Sequence, residues 1–142
     1  MANEFTINVQ GYYRDISKTQ FPNIPAIFFI YKGSFNAEER TCYLKRLLFI
    51  GETDDLQEVA SHVESDNNLA ADLQSDEALF YTFSTEFEDK SVRKRLVDAL
   101  IYELRPPHNR VDPSAPRPAK TTIIVSGNKH AFIPARINAP SF

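Results

Sequence analysis

The first part of the chain shows the alternation of apolar and polar residues that is typical of strands. Phe5, Ile7 and Val9 are each separated by one polar residue, and Gly11-Tyr12-Tyr13 then interrupts the pattern. Because successive side chains of a strand point to opposite faces, a period of two predicts a half-buried strand. We therefore expect an N-terminal edge strand within residues 4–14, followed by a turn.

Two nearly continuous apolar runs come next, at residues 26–32 and 47–50. The turn-forming stretch 33–36 follows the first run, and Gly51 follows the second. Runs of this composition joined by a loop of ordinary length predict an antiparallel hairpin in the middle of a sheet. Residues 78–83 have a similar composition and predict a third strand.

Apolar residues recur at helical spacing in two further segments. Leu56, Val59 and Val63 follow N-cap candidates at residues 53–55 and predict a first helix that packs one apolar stripe on the sheet. Ser91 is predicted to cap a second, longer helix, which the proline pair at 106–107 ends. The apolar stripe of that helix consists of Val92, Leu96, Val97, Leu100, Ile101 and Leu104.

The tail of the chain combines a proline-rich stretch with two short apolar runs. Residues 111–119 contain four prolines and predict an extended connector. Residues 121–125, 126–128 and 131–133 then predict a strand, a turn and a strand. We expect one α/β domain over residues 1–142, with a core at about residues 22–109, an N-terminal strand at 4–14 and a C-terminal extension at 110–142.

Size and charge restrict the classes of protein to consider. The 142 residues, 42% of them hydrophobic, fit one compact domain. No apolar run approaches the roughly 20 residues of a membrane span, and the first residues lack a signal-peptide pattern, so we expect a cytoplasmic protein without membrane partners. The single cysteine excludes an intramolecular disulfide and a cysteine-based zinc cluster.

Charged residues occur in runs, although the net charge is −3. A negative molecule repels a polyanion, so any nucleic-acid site has to be local. We interpret the charged runs mainly as solvated faces. Basic residues group at Arg40, Lys45 and Arg46 and again at Lys90, Arg93, Lys94 and Arg95, and acidic residues at Glu52, Asp54, Asp55, Glu58 and Glu64.

Three short motifs occur in a fixed order along the chain: Ala26-Ile27-Phe28, then Phe49-Ile50-Gly51, then a run from Asp98 through Leu100-Ile101 to Pro106-Pro107 and Asn109. This order resembles the GIY-YIG nuclease family, whose two name-giving motifs and closing Pro-Pro-x-Asn signature these segments match. Residues 11–14 and 121–127 are similar to extensions found in a bacterial branch of that family. The resemblance implies a GIY-YIG-like fold with a central three-stranded antiparallel sheet flanked by helices.

The resemblance also implies an activity. Active members of the family hydrolyse a DNA phosphodiester with one divalent metal ion, and they use two tyrosines, an arginine and a glutamate to do so. Here the tyrosine positions hold Phe28 and Phe49, the arginine position holds Val59 and the metal-binding glutamate position holds Val97. None of these four side chains can transfer a proton, carry charge or bind a metal. All four could equally be core residues, because each continues an apolar stripe or run.

Neighbouring polar residues could rescue the site. His62 lies three residues after Val59 and could act as a base, and Tyr31 could supply a hydroxyl, as could Tyr12 or Tyr13. Asp98 follows Val97, but one helical step of about 100° aims it elsewhere.

Basic residues near the motifs predict a local nucleic-acid surface. The candidates are Lys32, Lys45, Arg46 and Arg105, together with Asn109, to which the resemblance gives the role of fixing the loop after the last helix.

Three functional hypotheses follow. The first is a catalytically impaired GIY-YIG-like domain that binds DNA weakly and needs no cofactor. The second is an active endonuclease dependent on Mg²⁺ or Mn²⁺, and the third is a protein-interaction module on a nuclease scaffold.

Overall fold

The computed structural model describes residues 4–14, 21–36, 38–39, 41–58, 69–109, 114, 116–127 and 133–140. These residues form an α/β fold around one mixed sheet of six strands, in the order β3-β2-β4-β1-β5-β6. All neighbouring strands are antiparallel except β1 and β5, which are parallel. The strands are β1 (Glu4–Arg14), β2 (Ala26–Asn36), β3 (Thr41–Thr53), β4 (Glu77–Ser84), β5 (Thr121–Gly127) and β6 (Arg136–Ala139).

In the described ranges, two helical segments accompany the sheet in addition to a helical turn at residues 56–58: the 3₁₀ helix Leu69–Asp72 and α1 (Lys90–Leu104). The capping residue of α1 is Asp89 and not Ser91 as predicted. The Asp89 carboxylate accepts hydrogen bonds from the backbone N–H and the hydroxyl of Ser91, at 2.9 and 2.7 Å. The carboxylate of a capping aspartate accepts from the N–H of the residue two positions later. The cap is therefore Asp89, two residues before the predicted cap Ser91.

The strands β2 and β3 form the predicted hairpin, but the hairpin is longer than predicted. Residues 33–36, predicted as the turn, belong to β2, and pairing continues from Ala26 with Thr53 to Asn36 with Thr41. Gly33 fits a strand here because a Cβ at that position would approach the Tyr43 carbonyl oxygen too closely. With β4, the hairpin gives three antiparallel strands in the order β3-β2-β4, which make up one half of the sheet and not a separate central sheet.

The N-terminal strand lies inside the sheet, so its prediction as an edge strand is wrong. It pairs with β4 on one side and with β5 on the other, with Glu4 opposite Thr122 and Val9 opposite Gly127. The pairing with β4 shifts register between Gln10 and Tyr13, where the turn was predicted, and the strand continues to Arg14. A β-bulge thus replaces the predicted turn.

The C-terminal extension contains two strands, as predicted, but the second strand comes later in the chain. It is β6 (Arg136–Ala139), whereas the prediction placed it at residues 131–133. Its exposed and buried residues alternate, with Ile137 and Ala139 turned inward, and it pairs antiparallel with β5. Residues 131 and 132 lie outside the described part of the chain, and Ile133 is buried without being in a strand.

Both faces of the sheet are covered by apolar side chains. We call the face on which α1 packs the helix face and the opposite one the second face. The helix face buries Ile7, Ile27, Phe29, Tyr31, Leu47, Ile50, Leu96, Val97, Leu100, Ile123 and Ile137, among others. The second face buries Phe21, Phe28, Ile30, Leu48, Leu56, Leu69, Leu79, Tyr81 and Phe83.

Candidate functional site

The two phenylalanines at the expected tyrosine positions lie side by side on the second face. The rings of Phe28 and Phe49 are stacked, with centroids 5.9 Å apart and planes inclined by 22°. Phe28 is 3% exposed and Phe49 is partly buried. The strands β2 and β3 bring them together because Phe28 pairs with Gly51 and Ile30 with Phe49.

Gly51 provides the space that this ring pair occupies. A Cβ on Gly51 would lie 2.4 Å from the Phe28 ring and 3.0 Å from the Phe49 ring. Both distances are shorter than normal carbon contacts, so a larger residue at position 51 would push the rings away. The place where the resemblance implies two phenolic hydroxyls is therefore a close-packed hydrocarbon contact.

Val97 lies on the other side of the sheet from this ring pair. Its side chain is 6% exposed and packs on the helix face with Leu96, Leu100 and Ile27. Tyr31 is also on the helix face and is fully buried, so it lies across the sheet from Phe28 and Phe49. The structure thus joins two of the four motif positions and separates Val97 from them.

The remaining site candidates are partly outside the described residues. Val59 and His62 fall in residues 59–68, which the structure does not describe, and the same holds for the side chain of Tyr12. Tyr13 is on the second face, stacked at 5.3 Å on Phe83, the residue of β4 that pairs with Phe28. Asp98 is exposed and faces Lys94 at 3.9 Å on the surface of α1, which agrees with the expectation that it points away from the motifs.

Asn109 fixes the segment after α1 to the outer edge of β3. Its Oδ1 accepts a hydrogen bond from the Ile50 N–H at 2.9 Å, and its Nδ2 donates to the Ile50 carbonyl at 2.8 Å. The His108 N–H also donates to the Leu48 carbonyl at 3.0 Å. The amide of Asn109 thus imitates a neighbouring strand, and both of its polar atoms are engaged in this contact.

Three of the predicted nucleic-acid residues, Lys32, Lys45 and Arg46, lie together on the second face and are called the basic cluster below. Lys32 and Arg46 are cross-strand neighbours, and the Lys45 ammonium group is 2.9 Å from the carboxylate of Glu77 on β4. The register of β2 and β3 shifts between Lys32 and Gly33, which leaves Lys45 as an extra residue on β3. Such a bulge re-aims a side chain, and here it turns Lys45 toward the same carboxylate as Lys32.

Glu77 holds this cluster together. Its side chain is 4% exposed, and its carboxylate is 4.0 Å from the Lys32 ammonium group. Two hydrogen bonds lower the pKa of Glu77 below its usual value. The larger effect comes from the Gln74 backbone N–H and the next from the Lys45 ammonium group. The same bond raises the pKa of Lys45. Asp76 adds a second carboxylate 3.9 Å from Lys45, so two carboxylates face Lys32 and Lys45.

Arg105 lies apart from the basic cluster. It follows the last residue of α1, which packs on the helix face, and adopts a left-handed conformation with φ of 47°. Its backbone N–H bonds to the Ile101 carbonyl, and its guanidinium group lies 5.4 Å from the centre of the Tyr102 ring.

Sequence reasoning missed the most deeply buried charge among the residues that the structure describes. Arg93, interpreted as part of a solvated basic run, is 0% exposed. Its guanidinium donates to the carboxylates of Glu52 and Asp54, both interpreted as part of a solvated acidic run, and to the carbonyls of residues 87 and 88. The network joins the end of β3 to the start of α1. A local signal was present in the helical spacing. Arg93 follows the apolar Val92 and precedes Leu96 by three residues, a spacing that puts Arg93 and Leu96 on the same, buried side of the helix.

Among the described residues, no three His, Cys, Asp or Glu side chains are arranged so that they could hold a metal ion. No helix in the same part of the chain has the length and apolar character needed to cross a membrane. No family model, no curated protein and no solved structure matches the chain.

Proposed function

We propose that this protein is a non-cleaving domain with a GIY-YIG-like arrangement of motifs, and that it binds nucleic acid through the basic cluster. The observation that carries the proposal is the stacked pair of Phe28 and Phe49 over Gly51. It supports the correspondence of the two motifs, because their aromatic positions meet in space. It also supports the loss of cleavage, because neither ring has a hydroxyl group.

The chemistry of phosphodiester hydrolysis explains why these replacements matter. The reaction needs a group that activates water and a cation that neutralises charge on the phosphate oxygens. Loss of one proton-transfer group typically lowers the rate by roughly 10²–10⁴. Phenyl rings packed against a glycine also exclude the water and the ion that such a site would need.

The basic cluster supports the binding half of the proposal. Lys32, Lys45 and Arg46 concentrate positive charge on one part of a molecule whose net charge is −3. Because Glu77 and Asp76 offset two of the three cations, the electrostatic contribution to binding is small. The proposal is thus of weak binding that decreases as the salt concentration rises.

Cleavage is tested with a supercoiled plasmid incubated with the protein and Mg²⁺ or Mn²⁺. We expect no nicking above a buffer control at any protein concentration. Dose-dependent nicking that a chelator abolishes would contradict the proposal and favour the active endonuclease.

Binding is tested by fluorescence anisotropy with labelled DNA at low and high salt. We expect weak binding to the wild type, weaker binding to Arg46→Gln, and wild-type binding to the control Lys94→Gln, which removes an exposed charge from α1. If the wild type binds no DNA at low salt, the nucleic-acid half of the proposal is wrong. The protein-interaction module is then the better explanation of the scaffold.

A further inference from the structure

Beside the basic cluster, one aromatic side chain is turned out into solvent. Tyr43 on β3 is 71% exposed, the largest exposure among the large hydrophobic residues that the structure describes as exposed. It pairs with Ser34, while Arg46 pairs with Lys32. Since Lys32 and Ser34 are two residues apart on β2, the side chains of both pairs point to the same face, about 7 Å apart.

The region around Tyr43 suits a base better than a phosphate. An open recess of about 500 Å³ lies there, lined by the aromatic residues Phe35 and Tyr43, by the polar residues Ser34, Asn36 and Thr41, and by the acidic residues Glu38 and Asp76. Carboxylates repel phosphates but accept hydrogen bonds from the amino groups of bases. The cations of the basic cluster stand next to this recess, where a phosphate backbone would run.

We propose that Tyr43 and the basic cluster form a site for single-stranded nucleic acid, in which one base stacks on the Tyr43 ring and the adjacent phosphates contact Lys32 and Arg46. This inference rests on the proposed nucleic-acid binding and names the class of ligand. An exposed ring beside cations is the arrangement with which proteins bind single strands, because every base has an aromatic face. In a duplex these faces are covered by neighbouring base pairs, so Tyr43 would add little.

The charge of the site supports the same choice. Two phosphate contacts, one from Lys32 and one from Arg46, would give a shallow salt dependence, with a slope of about −1.4 for a single strand. Binding by charge alone would therefore be negligible at physiological salt. Stacking on Tyr43 supplies a contribution that salt does not screen.

The test compares a labelled oligodeoxycytidine, whose bases carry an amino group, with a duplex of equal length, for the wild type, Tyr43→Phe and Tyr43→Leu. Tyr43→Phe keeps the ring, whereas Tyr43→Leu keeps an apolar side chain without it. We expect single strands to bind more tightly than duplex, Tyr43→Phe to retain this affinity, and Tyr43→Leu to lose about tenfold. Because the side chain is exposed, all variants should fold, which circular dichroism can verify.

Two outcomes separate this inference from the function on which it rests. Equal affinity for single strand and duplex, with Tyr43→Leu binding like the wild type, would overturn the inference and leave the proposed nucleic-acid binding intact. Absence of salt-sensitive binding to either ligand would overturn both.

Discussion

At the scale of single residues, Arg93 has the largest stabilising role that we infer. Removing one partner of a buried ionic network leaves the other charges and carbonyls without their donor, which typically costs about 3–5 kcal/mol. We therefore expect Arg93→Met to lower the free energy of unfolding by about 3 kcal/mol in urea denaturation. Lys94→Met is the matched control, since its side chain is 69% exposed, and it should change the stability by less than about 0.5 kcal/mol. A small loss in Arg93→Met would show that the network contributes little.

The burial of Arg93 could not be predicted from the charge pattern. Its partners Glu52 and Asp54 precede it by 41 and 39 residues, and no local rule joins a basic run to an acidic run at that separation. The ring pair was easier to anticipate, because the motifs place Phe28 and Phe49 at corresponding positions of adjacent strands. The separation of Val97 from them was not predicted, since helical periodicity gives the buried side of α1 but not the face of the sheet on which α1 packs.

At the scale of elements, the outer edge of β3 depends on the side chain of Asn109. Asn109→Ala would leave the N–H and the carbonyl of Ile50 without partners, and an unsatisfied partly buried group costs about 1–3 kcal/mol. We expect a loss of stability in this range, with faster amide hydrogen exchange at Ile50. Asn109→Asp should be intermediate, because a carboxylate can accept from the Ile50 N–H but cannot donate to its carbonyl. Unchanged exchange at Ile50 in the alanine variant would contradict this role.

The sequence predicts whether a segment is a helix or a strand better than it predicts the residues at which that segment begins and ends. The stripe of α1 and the strand at residues 77–84 agree with their predictions because their periodicity is local. The hairpin was predicted too short because Gly33, Ser34 and Asn36 favour turns in isolation. In the structure their conformation is set by pairing with β3, a tertiary interaction that overrides local preference.

At the scale of the whole molecule, the shifted carboxylates give the stability a defined response to acid. Hydrogen bonds donated by Ser91 lower the pKa of Asp89, and the bond donated by the Gln74 N–H lowers that of Glu77. A group with a lowered pKa stabilises the fold above its unfolded pKa, about 3.8 and 4.5 here, and loses this contribution as pH falls through the folded value.

We therefore expect stability to fall below about pH 4, measured by urea denaturation at a series of pH values. The double variant Asp89→Asn, Glu77→Gln should be less stable at neutral pH and should show a smaller decrease in acid. Parallel pH profiles for the wild type and this variant would contradict the assignment. Lys45 acts in the opposite direction, because its raised pKa means that its contribution is lost only as pH rises through that value.

The interior position of β1 has a consequence for how the protein is made. Glu4 pairs with Thr122, so β1 obtains its second neighbour only when β5 has been synthesised. Until then a nascent chain carries an open strand edge, which is the surface that promotes association between chains. Chaperone capture or mispairing with another nascent chain would therefore compete with closure of the sheet during this interval of translation.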